Sequence, residues 1–267
     1  MTECGSQPAK EDRSMTAAQP GTAAEPAGAV VVGASGGLGG ALVAALLARG
    51  AHATVLALSR DGGCPAGVDD PRLAFGRIDV TDEASVAAAA ARAAALAPPR
   101  LVIVASGLLH SPDGLRPEKT FAAIDPAAFA RLFAVNATGP ALVAKHLLPR
   151  MPRTGRTVFA AVSARVGSIG DNRLGGWYGY RASKAALNML LRTLAIERAR
   201  TAPDAVVLGL HPGTVDTALS APFQAAVADG RLFSPDRAAG HLLDVLERSA
   251  PADSGRVLAW DGAALPP

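Results

Sequence analysis

Two residues four apart, Tyr180 and Lys184, carry the strongest chemical signal in the sequence. They sit in the run G-G-W-Y-G-Y-R-A-S-K-A-A-L-N, on a stretch that reads as helix over 179–200, so both project from one face about a turn apart. An ammonium beside a phenol favours the phenolate, and is expected to bring the tyrosine pKa down from about 10 towards working pH. Tyr180 is then suited to give a proton to a carbonyl or take one from an alcohol. Tyr178 competes for the role, but its own i+4 neighbour is Ala182, which offers no charge. Pairs of this kind also arise by chance, so the surroundings must decide.

Those surroundings supply two further groups. Ser163, in A-A-V-S-A-R-V-G-S-I-G, closes an apolar strand, and a hydroxyl at a strand's carboxyl end can hold a substrate oxygen beside Tyr180. Ser168, deeper in the following loop, is the fallback. Asn136, in F-A-V-N-A-T-G, falls in the middle of a helical pattern, where asparagine is mildly unfavourable. Either it serves the site or it bonds locally to the preceding turn. His211 and His110 read as residues next to turns, since the proton chemistry is already assigned.

A second signal lies near the start of the patterned region, in V-V-G-A-S-G-G-L-G-G. Gly33, Gly37 and Gly39 have the spacing G-x-x-x-G-x-G between a strand and a helix. Such a turn lets a ligand approach the backbone and the free N–H groups of a helix N-terminus, which bind pyrophosphate; Ser35 and Leu38 belong to the same predicted contact set. A tight turn without a ligand is the alternative, and the position of the turn at the first helix of a doubly wound sheet favours the dinucleotide. The second strand ends in Leu58-Ser59-Arg60, with no carboxylate for ribose hydroxyls. Ser59 and Arg60 suit a 2′-phosphate, so NADP(H) is expected over NAD(H), unless Arg60 is merely solvated. Asp61 lies one residue further out. Asp79 and Val80, ending the third strand, resemble the pair found beside the adenine in a known dinucleotide-binding family, or else Asp79 caps the helix beginning near Asp82.

The elements that must position these residues follow from periodicity. Apolar strand-like runs at 29–33, 54–58, 73–78, 101–105, 158–163, 206–210 and 257–260 alternate with helical patterns at 38–49, 82–96, 125–148, 179–200 and from Ser234 onward. Asp125-Pro126 and Ser234-Pro235 are cap-and-first-turn signals. Alternation of this kind predicts an α/β fold, a single doubly wound parallel sheet of Rossmann type with helices on both faces, over 28–267. Residues 1–27, rich in Ala, Pro, Ser, Thr and charge, read as a disordered leader, with Met15 as an alternative start.

Composition closes off other classes. Of 267 residues 49% are apolar, enough for a large core, and a net charge of +3 without like-charge blocks gives no nucleic-acid footprint. Cys4 and Cys64 lack metal-ligand or C-x-x-C spacing, so no metal is expected. The longest apolar stretch, 42–58, is broken by Arg49 and His52, so no membrane span is expected. With no secretory signal pattern either, the expected location is cytoplasmic.

Taken together, these motifs resemble the short-chain dehydrogenase/reductase family across 29–262. G-L-L-H, R-P-E-K, F-A-V-N-A-T-G-P-A-L-V-A-K-H, S-A-R-V-G-S-I and G-Y-R-A-S-K-A-A-L-N are similar to its C-factor-like subgroup. The resemblance implies hydride transfer between NADP(H) and a small carbonyl or alcohol. It also implies that Lys184 grips the nicotinamide ribose and that Asn136 holds a water relaying protons to it. In L-H-P-G-T-V-D-T, it implies that Pro212, Gly213, Thr214, Val215 and Thr217 meet the carboxamide and phosphates. Two departures stand out: Val32 replaces the usual threonine, and Val104-Ala105-Ser106-Gly107 keeps only the glycine of N-N-A-G. The rival is a regulatory protein that binds the dinucleotide with little turnover. Substrate choice is expected from 165–177 and 218–233, where Trp177 and Phe223 are either an apolar contact or core. A homo-oligomer is left open.

Overall fold

The computed structural model describes residues 27–63 and 68–267, together with Met1. The expected leader, Met15 and both cysteines lie outside the described residues. Seven parallel strands form one sheet in the order β3-β2-β1-β4-β5-β6-β9. They are β1 (Gly28–Val32), β2 (Thr54–Ser59), β3 (Leu73–Arg77), β4 (Pro99–Val104), β5 (Thr157–Val162), β6 (Ala205–His211) and β9 (Val257–Ala259). Ala29 and Val31 of β1 face a core shared with α1 (Gly37–Arg49) and α6 (Pro235–Arg248). Val30 and Val32 face the opposite core, shared with α2 (Glu83–Leu96), α4 (Gly139–Leu147) and α5 (Tyr178–Ala199). Burial on both faces explains why the strands are unbroken apolar runs instead of alternating ones. Strand order reverses between β1 and β4, which opens a crevice at their carboxyl ends.

Helix ends obey the sequence signals. Asp125 accepts the Ala128 N–H at the start of α3 (Pro126–Phe133), and Ser234 accepts the Arg237 N–H at the start of α6. Asp82, not Asp79, caps α2, accepting the Ala84 N–H. The long helix expected over 125–148 is interrupted by a π-helical turn, Ala134–Thr138, between α3 and α4. Pro140 has no N–H, so the α-helical donor for the Asn136 carbonyl is missing. The ladder widens there, and the Gly139 N–H bonds the Ala134 carbonyl five residues back. The continuous rod Pro126–Arg150 is long and apolar enough, by length and composition, to cross a membrane. Val143, Ala144 and Leu147 of this rod are packed into the core of the sheet, as in a core helix. A two-stranded parallel pair, β7 (Thr214–Val215) and β8 (Leu232–Phe233), lies beyond β6 and has no counterpart in the sequence reading.

Candidate active site

Tyr180 is 7% exposed, packed with Leu109, Leu132 and the edge of Trp177. Among the described residues nothing hydrogen-bonds its hydroxyl, yet that oxygen is not among the buried unpartnered atoms. Buried tyrosines usually satisfy their hydroxyl, so an unbonded one is a group held in reserve. Lys184 reaches past it: its Nζ donates to the Val162 carbonyl at 2.8 Å and lies 5.8 Å from the Tyr180 ring centroid. Burial pushes the phenol up to about 12 and the ammonium down to about 8. The expectation that the lysine draws the tyrosine pKa down is therefore not met. Desolvation acts on both groups, and the ammonium bonds a strand carbonyl instead of the phenol oxygen.

Ser163, the residue after β5, is buried, and its Oγ donates to Asn188 Oδ1 at 2.6 Å. Asn188 stands one turn beyond Lys184 on α5, and sequence reasoning assigned it no role. Its spacing from Tyr180 and Lys184 was visible, but its partner on β5 is set by tertiary packing. Ser168 bonds the Pro267 carbonyl at 3.3 Å and the Asp171 N–H at 3.1 Å, which takes it out of the site. Asn136 is fully buried, and its side chain does not bond locally. Its Oδ1 accepts the Leu108 N–H and its Nδ2 donates to the Leu108 carbonyl, both at 2.8 Å, with a further bond to Ser183 Oγ at 3.1 Å. It thus clips the loop after β4 to α5. Gly107 borders the same spot: a Cβ there would stand 3.8 Å from Asn136 Oδ1 and 4.0 Å from Lys184 Nζ. His211 is pushed down to about 4 by burial and stays neutral, with Nδ1 unpartnered; His110 Nε2 faces the carbonyls of Ala218 and Leu219 at 3.1 and 3.2 Å.

The glycine turn is closed as tightly as its spacing implies. Gly33 has φ +92°, and a Cβ on it would meet the Ser106 nitrogen at 2.7 Å; one on Gly39 would meet the Gly33 oxygen at 2.1 Å. The N-cap, Gly36, supplies no side chain and the first turn holds no acid. The N–H groups of Gly37, Leu38 and Gly39 therefore open α1 uncapped, which fits a diphosphate. Thr217 packs on this turn, its Cγ2 2.9 Å from where a Gly37 Cβ would be. Beside it a cavity of about 460 Å³ is lined by Ser35, Gly36, Gly37, Asp61 and Pro235. The residues present fit a dinucleotide. Pro212 and Val215 are buried; Val215 packs with Phe233, and Leu38 packs against the same group, so these two offer a ligand their backbone only. A Cβ on Gly213 would press on Phe233 at 2.8 Å.

The adenosine end differs from expectation in one respect. Ser59 is buried and donates to Asp61 at 2.5 Å, so its hydroxyl is engaged and Asp61 folds back towards the turn. That bond holds the Asp61 carboxyl below its ordinary value. The Arg60 side chain is exposed and has no hydrogen-bonding partner among the described residues. Asp79 accepts from the Thr81 N–H and hydroxyl at 2.9 and 2.7 Å and is held low by those bonds, so it closes a turn instead of capping α2. Val80 is buried against Gly139.

The profile of the family described as short chain dehydrogenase matches residues 27–228. The chain belongs to the short-chain dehydrogenases/reductases. A cis-4-hydroxycyclohexanecarboxylate dehydrogenase of Sinomonas cyclohexanicum is 33% identical over 251 residues, covering 88% of this chain and 94% of the relative. The C-signal protein of Myxococcus xanthus is 37% identical over 144 residues, 54% of this chain and 81% of the relative, in keeping with a C-factor-like member. Among solved structures, an NADPH-bound carbonyl reductase from chicken fatty liver superposes with a TM-score of 0.78 at 26% identity, covering 91% of this chain and 94% of the other. An NADP-bound family member from Burkholderia multivorans gives 0.74 at 29% identity, covering 91% and 99%. This short-chain dehydrogenase/reductase is accordingly an NAD(P)-dependent oxidoreductase of CH–OH and C=O groups.

Proposed function

We propose that this chain reduces a carbonyl, or oxidises the matching alcohol, with NADP(H) preferred over NAD(H) and Tyr180 handling the proton. The observation that carries the reading is the buried Tyr180, whose hydroxyl is accessible and unbonded while its neighbours' polar groups are engaged. A nicotinamide dinucleotide, held by the α1 N-terminus, Ser35, Thr217 and the Gly107 corner, supplies or accepts the hydride when bound. Tyr180, with a pKa of about 12, keeps its proton at ordinary pH and is poised to donate it to a carbonyl oxygen. Ser163 accepts or donates at the same oxygen once it turns from Asn188. Lys184 brings positive charge to the ribose side and to the developing phenolate. Pro140 leaves the Asn136 carbonyl without its helical donor, which supports a water held between Asn136 and Lys184.

The cofactor preference rests on Arg60, exposed at the end of β2, and on Arg77 beside it, whose Nε donates to the Arg60 carbonyl at 3.3 Å. NADPH and NADP in the two related structures favour the same choice. The likeness to C-signal supports a second reading, dinucleotide binding in signalling with little turnover. Titrating NADPH and NADH by fluorescence, beside turnover of a panel of carbonyl compounds, separates the two. Tighter NADPH binding with turnover supports the first reading. Binding without turnover of any carbonyl supports the second, and equal affinities sink the cofactor preference.

A further inference from the structure

Resting on the oxidoreductase reading, we infer that the site takes an uncharged, ring-bearing carbonyl compound, and that Trp177 is the residue that selects it. Trp177 is the one non-glycine residue with positive φ among the described residues, at +54°. A bulky side chain avoids that region, and such outliers persist where the surroundings impose them, often at ligand sites. Here the surroundings do impose it. Gly175 and Gly176 are left-handed too, with φ of +63° and +64°, so three consecutive left-handed residues lead into α5. Arg181 Nε donates to the carbonyls of Gly175 and Gly176 at 3.2 and 2.9 Å, and its Nη1 donates to Val166 at 3.3 Å. The Trp177 N–H donates to the Glu118 carbonyl at 2.5 Å, and the buried Glu118 carboxylate accepts the Gly179 N–H at 3.2 Å.

What this arrangement achieves is a wall of rings. The Trp177 ring meets Tyr180 edge-on at 6.2 Å and Phe223 at 4.9 Å, and Phe223 meets His110 at 5.7 Å. Leu109 and Leu132 complete the apolar surround of Tyr180. Three arginines of the neighbouring segments are committed: Arg181 to backbone carbonyls, Arg165 to Asp171 at 2.9 Å, and Arg116 to the carbonyls of Ser111 and Leu115; Arg173 and Lys119 are exposed to solvent. A carboxylate set against this apolar wall would lose its hydration beside the buried Glu118, and Lys184 is held on Val162. An apolar ring would pack edge-to-face on the wall.

The test uses acetophenone, cyclohexanone, 2-butanone and pyruvate with the full-length enzyme, and Trp177→Gly beside it. Glycine takes φ +54° without strain, so the backbone keeps its path while the ring is lost. The parent should favour the two ring ketones over pyruvate by at least about tenfold in kcat/KM. Trp177→Gly should lose about 10- to 100-fold on the ring ketones, chiefly through KM, and distinctly less on 2-butanone, with Tm lowered by the lost ring contacts. Trp177→Phe, which restores a ring, should recover most of the loss. Saturable quenching of tryptophan fluorescence by acetophenone should be present in the parent and absent in Trp177→Gly, which retains Trp260. A parent that turns over pyruvate best, or a Trp177→Gly loss equal on ring and small ketones, overturns the inference and leaves the oxidoreductase reading standing. No turnover of any carbonyl, with no acetophenone quenching, overturns both.

Discussion

The two ends of the crevice are built by opposite means. At the glycine turn the proposed contacts are backbone: Gly33 and Gly39 close on atoms that leave no room for a Cβ, and α1 opens without a side-chain cap. At Tyr180 the working parts are side chains, and most are already bonded. Lys184 holds Val162, Ser163 holds Asn188 and Asn136 holds Leu108, which leaves one hydroxyl unbonded. On the proposed reading, affinity at the first end is spread over several modest donors, whereas chemistry at the second is concentrated in one oxygen. Single side-chain changes should accordingly separate binding from turnover.

The largest separation should come from Tyr180→Phe, which removes that oxygen and keeps the ring. Turnover should fall by about two to four decades, the usual worth of a positioned acid or base. NADPH affinity should move by less than about threefold, because the backbone donors are untouched. A variant as fast as its parent would break the contrast and favour the signalling reading.

If the proposed ammonium role at both ends holds, Lys184→Met should cost turnover and cofactor affinity together. Its effect on stability has a definite sign. The folded pKa of about 8 lies below the ordinary 10.5, so burying the ammonium is unfavourable at pH 7. As pH rises from about 8 to 10.5 the folded chain has released this proton and the unfolded chain has not, so the parent gains stability across that window. The variant should match or exceed the parent's Tm at pH 7, and this advantage should shrink by pH 9.5. An advantage that widens with pH would show that Lys184 is not desolvated. Because the Tyr180 pKa lies at about 12, carbonyl reduction should not lose its proton donor in the same range, while alcohol oxidation should speed up with pH.

Arg60→Ala should act at the nucleotide end alone, weakening NADPH by about one to two decades through loss of a charged hydrogen bond and leaving NADH within about threefold. Parallel losses for both cofactors would assign Arg60 to general electrostatics. The smallest effect should follow removal of residues 1–27: a chain starting at Gly28 should keep its Tm and cofactor affinity. A drop of several degrees would mean the leader packs on the domain.

The backbone-built end was the more legible of the two in the sequence, because glycine spacing and helix geometry are both local. Tyr180 and Lys184 were legible for the same reason, being one turn apart on one helix. Ser163–Asn188, Asn136–Leu108 and Ser59–Asp61 were not. The first two join residues whose proximity depends on how α5 and the interrupted helix lie on the sheet, and the third depends on how the chain bends after β2. The sign of the Tyr180 shift failed likewise: spacing shows that a cation is near but not that burial outweighs it. Trp177 was singled out as apolar, yet its left-handed backbone has no sequence signal beyond the glycines before it.

The π-helical turn at Ala134–Thr138 changes what a helical wheel of this segment means. One residue more than an α-helical turn advances the phase by about 100°, so the apolar stripe of Pro126–Phe133 and that of Gly139–Leu147 do not line up. The first half lies against α5 and the second against α2, so a single rod attends to two neighbours lying in different directions. Taken as one straight helix, the segment passes for a span by length and mean hydropathy alone. Removing one residue from the wide turn would bring the halves into phase, and either Asn136 or the α2 contact would have to give way.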